Sequence, residues 1–135
     1  MIPQQSTKER GSAVVGHVLV SILVVTLALG LIQLGLALHV RAIGVDAAGE
    51  GARRMALYGA SVADGRARFV EMMRAGAPGV RISSTKFSET KLQNGMRAVK
   101  MEAQIVLPLL GPWGIPGGLH VSGRAVREEV IKNAQ

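Results

Sequence analysis

The sequence predicts an α+β fold: a long N-terminal transmembrane helix extending into a soluble part, a second shorter helix, and a small three-stranded antiparallel sheet. Three observations predict it. No charged residue lies between Arg10 and Arg41, a run of 30 positions. Beyond that run, apolar and small residues keep recurring at helical spacing to about residue 75. From residue 80 the period changes from helical to two.

The uncharged run, residues 11–40, rises about 45 Å as a helix, against about 30 Å of bilayer hydrocarbon. It crosses a membrane with length to spare for tilt. Its polar members are Ser21, Thr26, Gln33, His17 and His39, which can bond back to the helix or meet a partner helix. A buried helix of a soluble protein is the competing reading, but the rest of the chain has too few bulky groups to wrap it. A cleaved secretory signal fits poorly as well, because its apolar region is only about 7 to 15 residues. Lys8 and Arg10 precede the run while Arg41, Arg53 and Arg54 follow it, so flanking charge does not decide the orientation.

Past the run, helical character continues through residues 41–60. Asp46, Glu50 and Arg54 are spaced four apart, the interval at which side chains meet on one helix face. Gly44, Ala48, Gly51 and Ala52 form a stripe of small residues and, with Gly35, are candidates for close helix packing. Gly59-Ala60-Ser61 reads as a break, with Ser61 able to cap a second helix over 62–75. Val62, Phe69, Met72 and Met73 are its expected buried side, and Gly76-Ala77-Pro78-Gly79 ends it. An alternation begins at Val80, and the clearest strand is 97–107, where Val99, Met101, Ala103, Ile105 and Leu107 alternate with Lys100, Glu102 and Gln104. Asn94-Gly95 before it is a hairpin turn signal. Residues 108–118 interrupt regular structure with three Pro and four Gly, and carry Trp113 as a candidate loop contact. Leu119, Val121, Gly123 and Ala125 then alternate as a third strand. Such a sheet needs helices on one face.

Composition narrows the chemistry. Apolar residues make up 48% of the chain but aromatics only 3%, so the apolar mass is aliphatic and sits in the run rather than in an ordinary core. No cysteine is present, which removes disulfides, thiolate metal sites and Cys nucleophiles. His17, His39 and His120 are scattered, and the Gly-rich 111–114 stretch lacks the setting and lysine of a phosphate loop. No catalytic, cofactor-binding or metal-binding constellation is expected, and no enzyme. Of the formal charge of +7, the part beyond the run carries 14 basic and 8 acidic residues. They are dispersed and poor in aromatic neighbours, so nucleic acid is not an expected partner, whereas anionic lipid is compatible. A membrane-tethered cytoplasmic module binding nucleic acid or anionic lipid stands as the alternative reading.

Several motifs together resemble a known family. Arg10-Gly11-Ser12-Ala13-Val14-Val15 ahead of the apolar run, Leu34 to Arg41, and above all Asp46-Ala47-Ala48-Gly49-Glu50-Gly51-Ala52-Arg53 resemble TadE-like proteins of tight-adherence (Tad/Flp) pilus systems. The ending Val121 to Glu128 is similar to that of actinobacterial members. The resemblance implies a minor pilin or pseudopilin, or an assembly factor, acting by helix packing and protein–protein contacts in secretion and adhesion. It implies a pilin-like division into a basic leader (1–11), a transmembrane helix (12–40), its continuation (41–60) and a soluble module (61–135) lying outside the cytoplasmic membrane. Implied partners are other pilus subunits, inner-membrane Tad assembly proteins, a second TadE-like pseudopilin, membrane lipid, and a prepilin peptidase cutting between Gly11 and Ser12. The family places a Glu shortly after that bond; here Gly16 stands in its place, with His17 next. Gly16 cannot supply the carboxylate that pairs with a neighbouring subunit's free amino terminus inside an apolar filament core, where an unpaired charge is costly.

Overall fold

The computed structural model describes residues 7–93, 95–107 and 118–127. Its elements are α1 (Thr7–Ala56), α2 (Val62–Gly76), β1 (Arg81–Lys91), β2 (Arg97–Val106) and β3 (Leu119–Val126). The expected α+β order is present, with β1-β2-β3 forming one antiparallel sheet. Asn94, the 108–117 loop with Trp113, and the Glu128-Glu129 tail lie outside the described residues. The chain divides into two compact units, Met1–Leu36 and Ala37–Gln135.

In the first unit, every residue from Gly11 to Leu36 is exposed except the half-buried Gln33. The polar groups of this apolar stretch bond to their own helix. The Ser21 hydroxyl donates to the His17 carbonyl at 2.9 Å, and the Thr26 hydroxyl to the Ile22 carbonyl at 2.7 Å. This back-bonding lets a hydroxyl sit in an apolar setting without an external partner.

The second unit holds the core. The end of α1 stops at Ala56, and the turn to α2 uses Gly59 at φ +76°, a conformation that glycine adopts without strain. Ser61 caps α2 as expected: the Asp64 backbone N–H reaches the Ser61 hydroxyl, while the Asp64 carboxylate accepts from the Ser61 backbone N–H at 2.8 Å. The buried line of α2 is Gly65, Phe69 and Met73, with Met72 half-buried. Val62, expected inside, is 49% exposed, because it is the first helical residue and core contact begins only at Gly65. The helix ends at Gly76, where the Ala77 N–H bonds the Met73 carbonyl.

In the sheet, β2 is central and shows the alternation most cleanly. Val99, Met101, Ala103 and Ile105 are buried, and Lys100, Glu102 and Gln104 lie half-exposed on the other face. The β1–β2 connection is wider than a two-residue turn: the Gly95 N–H bonds Leu92 O and the Leu92 N–H bonds Met96 O, with Gly95 at φ +82°. A bulge in β1 was not legible from the alternation. Ile82 pairs with Ile105 and Ser84 with Gln104, so Ser83 is an extra residue. The core joins Val40, Ala47, Ala48 and Ala52 of α1, Phe69 and Met73 of α2, and Met101, Ala103, Ile105 and Val121 of the sheet. Met55 and Ala56 continue it onto Val99.

Candidate functional site

Two features stand out as functional surfaces: the apolar stretch of α1, and the small-residue stripe that follows it on the same helix.

The apolar stretch is one helix long and apolar enough to cross a membrane. Its span Gly11–Ala56 has a mean hydropathy of 2.5 over the most apolar window, and none of that window is buried within the chain. A soluble protein buries such surface against itself; here Val14 to Leu38 present row after row of exposed Val, Leu and Ile. The two residues flanking the expected cleavage bond, Gly11 and Ser12, are exposed and helical. Gly16 and Gly35 are open, with nothing within 4 Å of an added Cβ. Gly35, grouped with the packing candidates, therefore makes no close contact among the described residues.

The stripe behaves differently. Gly44, Ala48, Gly51 and Ala52 are all buried in the second unit. A Cβ on Gly44 would lie 2.8 Å from Ile105 Cδ1 and 2.9 Å from Val121 Cγ1. On Gly51 it would lie 2.6 Å from Met101 Sδ and 2.9 Å from the Gly65 carbonyl oxygen. The stripe is thus a packing surface, and its partners are the sheet and α2 of the same chain. Two further glycines complete these contacts, and sequence reading gave no warning of them. Gly65 faces the Gly51 carbonyl oxygen, 2.7 Å from a hypothetical Cβ, and Gly123 of β3 lies against the Ala48–Gly49 backbone, 2.6 Å from Ala48 O. Both are single glycines inside regular elements, a signal of close backbone approach when taken at face value.

The ion pairs differ from the expected spacing. Glu50 pairs with Arg53 at 2.7 Å, one turn along at i+3, and not with Arg54. Arg54 instead lies toward Asp64 across the groove between α1 and α2, a groove also lined by Arg68 and Glu71, which pair with each other at 3.1 Å. Asp46, an acid four residues before another acid, has no ion-pair partner among the described residues. These pairs are exposed and contribute little stability individually. Asp64 is held below the usual carboxylate range chiefly by the Ser61 backbone N–H, then by its hydroxyl. Glu102, on the open face of the sheet, is lowered by its hydrogen bond from Lys100.

Among the described residues no group of three His, Asp or Glu side chains is placed to hold a metal ion. Comparisons with protein-family models, with curated proteins and with solved structures find no match to this chain.

Proposed function

We propose that the chain is a single-pass membrane protein of TadE-like type, a minor pilin, pseudopilin or assembly factor of a Tad/Flp-like pilus. On this reading it works by helix packing in the membrane and by protein–protein contacts of its α+β module outside the cytoplasmic membrane. The observation that carries the anchor is the unburied apolar stretch of α1. The resemblance of residues 10–15, 34–41 and 46–53 to TadE-like proteins supplies the pilus assignment.

Topology is the first test. The chain has no cysteine, so Ser88→Cys, on an exposed position of β1, introduces a single thiol. A membrane-impermeant maleimide should label it in intact cells. Labelling only after lysis would reverse the orientation and favour a cytoplasmic module attracted to anionic lipid or nucleic acid. Processing is a separate test: intact mass of membrane-extracted protein should show a species beginning at Ser12 if a prepilin peptidase cuts after Gly11. A sole species still carrying residues 1–11 contradicts cleavage and favours an uncleaved assembly factor.

A further inference from the structure

We propose that the open edge of β1 accepts an extended acidic segment of a partner polypeptide as a fourth strand, reading the pattern acid-x-apolar-x-acid. This goes beyond the anchoring and pilus reading and does not depend on it.

The sheet order leaves β1 paired on one side only, and among the described residues no backbone group bonds to its outer side along Arg81–Lys91. Such an edge is a template for an added strand unless something blocks it. What borders it is mainly basic, and the acids beside it are already paired. Arg66, Val70 and Arg74 follow one another at four-residue spacing along α2, and Arg66 Nε donates to the Thr85 hydroxyl of β1 at 2.8 Å, which fixes this flank of the helix over the edge. Of the two acids of α2, Asp64 lies on the opposite flank, which lines the α1 groove, and Glu71, which borders both flanks, is paired with Arg68. On β1 itself, Arg81, Lys86 and Lys91 are exposed, and its one acid, Glu89, is already engaged by Arg127. The nearest other acid, Glu102 of β2, is taken by Lys100.

This charge decides between occupants. Two copies of β1 paired edge to edge would set these cations against each other, so self-pairing is disfavoured. An acidic strand is attracted. The spacing is also informative: eight helical residues from Arg66 to Arg74 cover about 12 Å, and four strand residues about 13 Å. Acidic side chains four apart on one strand face would meet the two guanidinium groups, with an apolar side chain midway over Val70, which is half-buried and packs on the core. Guanidinium-to-carboxylate pairs would set the register, and main-chain bonds to β1 would hold the strand.

The test uses the full chain in nanodiscs of zwitterionic lipid. The probe is a blocked peptide about as long as β1, centred on Glu-Thr-Val-Thr-Glu, and the control is its permutation Glu-Glu-Thr-Val-Thr of the same charge. The first should bind and slow hydrogen exchange at outward-facing amides of Arg81–Lys91. Arg74→Glu with Arg81→Glu should weaken it at least about tenfold, with the melting of the second unit unchanged as the check on folding. Equal binding of both peptides, protection outside β1, or undiminished binding to R74E/R81E would overturn the proposal. So would an absence of peptide binding, and retention on anionic vesicles would then make the edge a lipid-facing charge.

Discussion

Two stretches of one helix put glycine to opposite uses. Within residues 11–36 of α1, Gly16 and Gly30, and with them Gly35, have open space where a side chain would be. Within residues 37–56, Gly44 and Gly51 are enclosed by Ile105, Val121, Met101 and Gly65. Both stretches are regular α-helix, and the difference lies in what each stretch faces. The first carries large aliphatic groups all round and buries none of them in the chain; the second has given up side-chain bulk so that backbones can approach. Small residues in a helix therefore report a packing surface only where a partner is present.

The contrast can be broken most strongly at the core. Phe69→Ala removes the largest fully buried side chain among the described residues, part of the core shared by both helices and the sheet, and should cost about 3–5 kcal/mol in urea unfolding of the second unit. Membrane extraction of the variant should be unchanged, since the span is untouched; loss of membrane association together with the fold would defeat the division. Next come the glycines themselves. Gly123→Ala meets the rigid Ala48–Gly49 backbone and should cost about 1–3 kcal/mol. Gly35→Ala meets nothing and should leave the melting temperature of the second unit where it is. Equal effects at the two sites would mean that the close approach at Gly123 carries no energy. A smaller loss than at Gly123 is expected at the helix cap. Ser61→Ala should cost about 1 kcal/mol. It should also flatten the acid limb of stability in part, because the hydroxyl bond to Asp64 goes while the stronger bond from the residue-61 backbone N–H stays: a carboxylate whose folded pKa is depressed stabilises above its unfolded pKa, and loses that stabilisation as pH falls through the folded value. Melting curves of wild type and Ser61→Ala between neutral and acid pH would show this as a narrowing gap.

Much of this was legible in the sequence because it is local. The uncharged run, the cap at Ser61, the alternation over β2 and the period change at residue 80 are each decided by neighbours within a few positions. The stripe Gly44–Ala52 was legible as a packing surface, but not its partner, since a gap for a backbone looks the same whether a helix or a sheet fills it. Gly65 and Gly123 were missed for the same reason from the other side: each is a lone glycine whose meaning comes from Gly51 and Ala48, far away in the chain. The choice of Arg53 over Arg54 by Glu50 turns on side-chain direction, with both spacings allowed on a helix surface. Val62 has the right helical phase for burial but lies one residue inside the cap, ahead of the first core contact.

The extra residue in β1 has a consequence for how this strand tolerates change in length. β1 has 11 residues and β2 has 10, and the surplus is Ser83 alone. Removing Ser83 would bring Ile82 and Ser84 into regular succession opposite Ile105 and Gln104, with Thr85 and Phe87 still over Ala103 and Met101. Removing Ser88 would instead turn every later side chain to the opposite face. The strand thus carries one expendable position, and a lineage of this protein could lose a codon there and keep its sheet in phase.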